Sequence, residues 1–134
     1  MDKATRGSCL CGAVRFSVEG SFDAFYLCHC ARCRKDSGSA HAANLFSGTA
    51  RLYWLEGETD VRHFTLPGTS HARAFCATCG SALPRQLGPQ MLMVPAGSLD
   101  DAPVLGPMAH ICCDDRAGWD NDLHRLPQLP GLPG

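Results

Sequence analysis

Cys9-Leu10-Cys11-Gly12 near the start of the chain and Cys76-Ala77-Thr78-Cys79-Gly80 beyond its middle decide how this sequence is to be read. Each is a compact turn that lets two sulfurs point at one ion. The glycine after the second cysteine tolerates backbone angles that other residues resist. Two such turns complete a tetrahedral four-thiolate shell, and zinc with four thiolates has no open position. A structural zinc is therefore expected on Cys9, Cys11, Cys76 and Cys79, tying the start of the domain to a hairpin near Phe75. A small β domain with a limited core gains from such a tie.

Between the two pairs lies Cys28-His29-Cys30-Ala31-Arg32-Cys33, with three thiols and a histidine in six residues. Three protein ligands and one exchangeable position make the pattern of a reactive zinc site. The alternative is a second structural ion, its shell closed by His29, His41, His110 or Cys112. Neither spacing is that of an iron–sulfur centre. Arg32, Arg34 and Lys35 flank the ligands, and Ser37-Gly38-Ser39 follows with small residues that permit close approach. These cations offset the negative charge of three thiolates on zinc and suit an anion or a thiol as ligand. The competing reading is a solvated basic turn. His41 and His110 are single histidines in β-like surroundings and are expected to be packed or exposed rather than ligating.

The chain has 134 residues, enough for one domain over 1–134 with its core at about 7–126. Hydrophobic residues at 45% and charged residues at 19% argue against disorder. A net charge of −1 leaves no global basic field for a phosphate backbone, so nucleic acid is not an expected partner. No apolar run approaches the roughly 20 residues of a membrane span. Met1 to Ser8 is polar and lacks a secretory apolar segment, so the expected address is cytoplasmic. An odd count of nine cysteines and a reducing compartment both argue against disulfides. Cys112 and Cys113 read instead as buried free cysteines, acting as small hydrophobes.

Val14, Phe16 and Val18 alternate with polar residues between Gly12 and Gly20, as in a half-buried strand. Leu52 to Leu55 and Val61 to Leu66 each end at a turn, Glu56-Gly57 and Pro67-Gly68. Met91–Val94 and His110–Cys113 are two further strand candidates, and Ala31–Ser37 a short helix. The expected class is mainly β, with short strands and long loops. Leu126 to Gly134, rich in Leu-Pro and Pro-Gly, reads as an extended tail.

Taken together, Cys9-x-Cys11-Gly12, Cys28-His29-Cys30-x-x-Cys33-Arg34-Lys35 with Ser37-Gly38-Ser39, and Phe75-Cys76-x-x-Cys79-Gly80-Ser81 resemble the glutathione-dependent formaldehyde-activating enzyme and centromere protein V family. Ala96-Gly97-Ser98-Leu99-Asp100, His110-Ile111, Trp119 and Leu126-Pro127 extend the resemblance from about Gly7 to Gly131. It implies a β-tent fold, with a structural zinc on Cys9, Cys11, Cys76 and Cys79. A catalytic zinc falls on Cys28, Cys30 and Cys33, giving two per chain. The implied activity is that of a carbon–sulfur lyase adding glutathione to formaldehyde, so a small thiol and a small aldehyde are the implied partners. Two departures stand out: Cys112-Cys113 where an aromatic or aliphatic residue and valine are usual, and Asp115-Arg116-Ala117-Gly118-Trp119 for a Ser-Lys-Ala-Pro-Trp type of segment. The competing function is a non-catalytic zinc module that binds a partner protein.

Overall fold

The alternation around Phe16 builds β2 (Arg15–Glu19), the central strand of an antiparallel sheet between β1 (Ala4–Ser8) and β5 (Arg51–Glu56). This computed structural model describes residues 3–134. Phe16, Ser17 and Val18 are all buried, whereas alternation predicts an exposed Ser17. The register explains the difference. Ser17 lies opposite Arg6 on one side and Tyr53 on the other, and these larger cross-strand neighbours cover a small side chain. Gly7 faces Phe16 in the same register, and a Cβ there would run into the Phe16 ring and lie 2.6 Å from the Ser98 carbonyl oxygen.

A second sheet is made from β3 (Ala24–Cys28), β4 (Ala42–Ser47), β9 (Arg85–Gln86), β10 (Leu92–Pro95) and β11 (Ala109–Ile111). Its order is β11-β3-β4-β10-β9, antiparallel except for β11, which runs parallel to β3. The third sheet joins β6 (Val61–Thr65), β7 (Ala72–Cys76) and β8 (Ala82–Leu83). Among the described residues the one α-helix is α1 (Ala31–Ser37), closed by Gly38 in the left-handed region at φ 67°. The chain is mainly β, with short strands, as its sequence predicts.

The sheets meet over one cluster of buried side chains. Phe16 comes from the first sheet, Leu45, Leu92 and Val94 from the second, and Ala74, Cys76 and Leu83 from the third. Burying each large apolar side chain of this kind contributes roughly 1.5–3 kcal/mol. Cys9 and Cys76 belong to the cluster, which puts the first cysteine group at the edge of the core.

One strand differs from expectation. The segment read as a strand over His110–Cys113 stops at Ile111, because Cys112 adopts left-handed angles at φ 56° and opens a 3₁₀ turn over Cys113–Asp115. Extended pairing cannot continue through such a residue. Cys112 is exposed and Cys113 half-buried, so neither fills a core position as a buried free cysteine would. From Leu126 onward the chain forms no helix or strand, and Leu126, Leu129 and Leu132 are exposed.

Candidate functional site

The first cysteine group is assembled from two turns with the same backbone logic. Gly12 donates its N–H to Cys9 O at 3.1 Å, and Gly80 donates to Cys76 O at 2.8 Å. Both glycines are in the left-handed region, at φ 79° and 77°. The turns bring the Sγ atoms of Cys9, Cys11, Cys76 and Cys79 within 4.8 Å of one another. Cys9 and Cys11 sulfurs are 3.6 Å apart, and those of Cys11 and Cys76 are 4.0 Å apart. A tetrahedral zinc with Zn–S bonds of about 2.3 Å separates its sulfurs by about 3.8 Å, whereas a disulfide needs about 2.05 Å. The donor set therefore fits a four-thiolate metal shell, and all nine cysteines are free.

Backbone donors converge on these sulfurs. The Val14 amide donates to Cys9 Sγ at 3.3 Å and the Thr78 amide to Cys76 Sγ at 3.4 Å. Ser81 joins the two turns: its Oγ accepts from the Leu10 amide at 3.0 Å and lies 3.2 Å from Cys79 Sγ. The Ser81 hydroxyl, with the Cys11 amide, holds the Cys79 thiol down at about 5. The Ala13 amide favours a thiolate at Cys11, yet burial and the sulfurs of Cys9, Cys79 and Cys76 push that thiol up to about 11. Burial opposes ionisation of Cys9, but the Val14 amide and the Cys11 and Cys76 sulfurs outweigh it and hold the thiol below its ordinary value. Opposite shifts within one group express mutual repulsion of thiolates, which a divalent cation relieves.

In the second group, Cys28 ends β3, Cys30 is the N-cap of α1, and Cys33 lies in the first turn of that helix. Their sulfurs also lie within 4.8 Å of one another, and the Cys33 amide donates to Cys30 Sγ at 3.3 Å. Burial pushes the Cys33 thiol well up, helped by Cys28 and Cys30. Burial acts the same way on Cys30, but the Cys33 amide and the Cys33 and Cys28 sulfurs reverse it and hold that thiol down. Three sulfurs competing for one proton fit a cation here as well. Among the described residues no histidine or carboxylate joins either sulfur group. Cys112 is close enough to Cys28 for that sulfur to push its thiol up.

The histidines stand beside this group in an array of their own. The His29 ring is buried, its Nε2 2.8 Å from His110 Nδ1 and its Nδ1 3.0 Å from Asp120 Oδ2. The His41 ring packs 5.2 Å from that of His29, and burial holds the His41 imidazole below its ordinary value, helped by His29 and His110. Sequence reasoning singled out the histidines but not Asp120, 91 positions beyond His29, because no local pattern links them.

Of the three flanking cations, Arg32 and Lys35 share one helix face, with Phe64, Leu66, His71 and Arg73 around a depression of about 310 Å³. Arg34 lies elsewhere, its Nε buried without a hydrogen-bond partner. A neighbouring groove of about 190 Å³ reaches Cys33, Ser37 and His41. Asp36, His71 and Arg73 line both depressions. The Asp36 carboxylate is 3.0 Å from His71 Nε2 and 3.0 Å from Arg73 Nε, a polar bridge from α1 to the start of β7.

Residues 4–115 match the family model described as glutathione-dependent formaldehyde-activating enzyme. A Halomonas elongata protein named "Putative glutathione-dependent formaldehyde-activating enzyme" is 32% identical over 126 residues, covering 84% of this chain and 77% of that protein. The crystal structure of a Rhodobacter sphaeroides protein is similar with a TM-score of 0.56 and 26% identity, over 78% of this chain and 98% of the other. Among the described residues no helix is long and apolar enough to cross a membrane.

Proposed function

Because the chain belongs to the glutathione-dependent formaldehyde-activating enzyme family, we propose that it is a zinc-dependent enzyme of the carbon–sulfur lyase type, acting on glutathione or another small thiol and on formaldehyde or a related aldehyde. In the reaction a sulfur–carbon bond forms, the carbonyl π pair moves to oxygen, and the thiol proton ends on that oxygen. Zinc held by Cys28, Cys30 and Cys33 would supply a Lewis acid that could stabilise a thiolate at neutral pH or polarise a carbonyl. The observation that carries the reading is the three-sulfur group, of which Cys33 lines a groove together with His41.

The chain's own residues then bind and orient. Arg32, Lys35 and Arg73 line a depression together with Phe64 and Leu66, and Arg32 and Lys35 leave two cations there for the carboxylates of glutathione beyond the Asp36 carboxylate that Arg73 already holds. Ser37 and Gly38 leave room at the helix end beside Cys33, where Ser37 Oγ donates to Cys33 O at 2.7 Å. Cys9, Cys11, Cys76 and Cys79 take the second zinc, a structural one. The reading treats residues 1–134 as one domain, its sheets as a β-tent with metal at their margins, and its compartment as the reducing cytosol.

Thiol addition to formaldehyde proceeds without help, so the test is a stopped-flow or exchange measurement. Acceleration should exceed that of Cys30→Ser, and cobalt placed in the second site should change its absorption spectrum when glutathione is added. Neither effect would leave the second reading, a zinc module that binds a protein partner. Leu10, 86% exposed inside the first cysteine turn, and Trp119, 64% exposed beside Asp120, favour that alternative.

A further inference from the structure

β4 and β10 turn one face to the core and the other to the groove beside the second cysteine group. Leu45 and Ser47 of β4, with Leu92 and Val94 of β10, are buried. Successive side chains of a strand alternate in direction, so Ala42, Asn44, Met93 and Pro95 stand on the opposite face. The register sets Asn44 opposite Tyr26 of β3 on one side and Pro95 on the other. Ala42, Asn44, Met93 and Pro95 all line the groove that reaches Cys33, and only Asn44 among these four is polar. Polar groups elsewhere in the groove are already engaged: the Asp36 carboxylate with His71 and Arg73, and the Ser37 hydroxyl with Cys33 O. Asn44 differs. It is half-buried, yet among the described residues its carboxamide makes no hydrogen bond, and neither of its polar atoms is enclosed. Both are open to the groove.

We infer that Asn44 is a specificity-determining residue that pairs with an amide of the incoming thiol, so that the groove selects thiols carrying a peptide-type bond over plain alkyl thiols. A carboxamide offers N–H donors and a carbonyl acceptor side by side. A ligand amide presents the complementary pair and satisfies both at once. A carboxylate matches only the donors, and it would share the groove with the Asp36 carboxylate. An alkyl thiol matches neither and strands the Asn44 amide against an apolar wall, which weakens binding. The groove holds about 190 Å³, less than the roughly 300–1,000 Å³ of sites that enclose a drug-sized ligand. It therefore takes one amide-bearing arm rather than a whole tripeptide. The adjoining depression shares Asp36, His71 and Arg73 with the groove, and it offers Arg32 and Lys35 to the charged end of such an arm. β4 is paired on both sides, by β3 and β10, so the backbone that carries Asn44 is held in place.

The assignment rests on the thiol–metal reading above, and a binding measurement without aldehyde separates the two. N-acetylcysteamine and 2-mercaptoethanol are both uncharged, so Arg32 and Lys35 do not distinguish them, and only the first carries an amide. With cobalt in the second site, each thiol is titrated into the full chain and its Kd read from the absorption change. The native chain should bind N-acetylcysteamine about tenfold more tightly than 2-mercaptoethanol. Asn44→Leu and Asn44→Ala should each lose about tenfold for N-acetylcysteamine, while 2-mercaptoethanol stays within about twofold. Equal affinity of the native chain for the two thiols overturns the inference, even where neither variant folds. A loss common to both thiols in the variants overturns it as well, since general damage to the site spares neither. Cobalt spectra that neither thiol alters refute the thiol–metal reading itself, and the role of Asn44 falls with it.

Discussion

Replacing Cys76 by serine should remove much of the domain's stability, whereas the same exchange at Cys30 should remove little. Cys76 is fully buried in the core cluster, its sulfur 4.0 Å from that of Cys11 and accepting from the Thr78 amide at 3.4 Å. Structural zinc contributes roughly 10–16 kcal/mol in small peptides, so losing one ligand of four forfeits about 3–4 kcal/mol. A buried hydroxyl without its partner adds about 1–3 kcal/mol. The sum approaches the roughly 5–15 kcal/mol that holds a whole domain folded. At about 3–5 °C per kcal/mol for a chain of this length, Tm should fall by about 12 °C or more. Cys30 differs because its sulfur caps α1 by accepting from the Cys33 amide at 3.3 Å. Serine is a preferred N-cap and keeps that bond, so the change should stay within about 1 kcal/mol. Circular dichroism melts and zinc per chain, measured side by side, give the answer. The Cys30→Ser protein should stay folded with one zinc fewer. Equal losses of Tm, or a full zinc complement in Cys76→Ser, would refute the division between the groups.

Gly7→Ala should cost about 1–3 kcal/mol in urea denaturation, since Phe16 is buried and has no room to move away from the new methyl group. Gly97→Ala, whose Cβ would meet nothing within 4 Å, is its control, and equal midpoints would show that the close approach at Gly7 is unimportant. Arg32→Glu with Lys35→Glu should raise KM for glutathione about tenfold while sparing an uncharged thiol such as 2-mercaptoethanol. An equal effect on both thiols would remove these cations from carboxylate binding.

What could be read in the sequence was local. The cysteine groups were legible because two or three ligands fall within a few residues and one turn, and Gly12 and Gly80 have the positive φ that those turns require. The α1 helix matches the expected Ala31–Ser37, and β5 and β6 end at the turns that follow them. β1 carried no strand signal, because Ala4–Ser8 is mostly polar and contains a glycine that serves the packing of Phe16. β4, Ala42–Ser47, holds alanines and an asparagine, and is a strand because β3 and β10 pair with it on both sides. Long-range polar partners were beyond reach for the same reason: Asp36 with His71 and Arg73, and His29 with Asp120, are set by how sheets meet.

The contacts of Asp36 with His71 and Arg73 link the element that carries Cys76 to the helix that carries Cys33. β7 ends in Cys76, a member of the first sulfur group, and carries Arg73 three residues earlier. Arg73 and His71, just ahead of the strand, both hold Asp36 of α1, the helix that bears Cys33. These contacts are partly exposed, at 22–30% of side-chain surface, and so add little to stability. Their effect is on position. With the far end of β7 pinned by four sulfurs, Arg73 is a fixed point against which the short helix is set. The helix has seven residues and no buried side chain, so these contacts add to the Ser37 hydroxyl, which donates to His41 O at 3.3 Å, in setting Cys33 against the neighbouring sheet. On the proposed reading the first group is the rigid support, and the second is the place where a rigid support is needed.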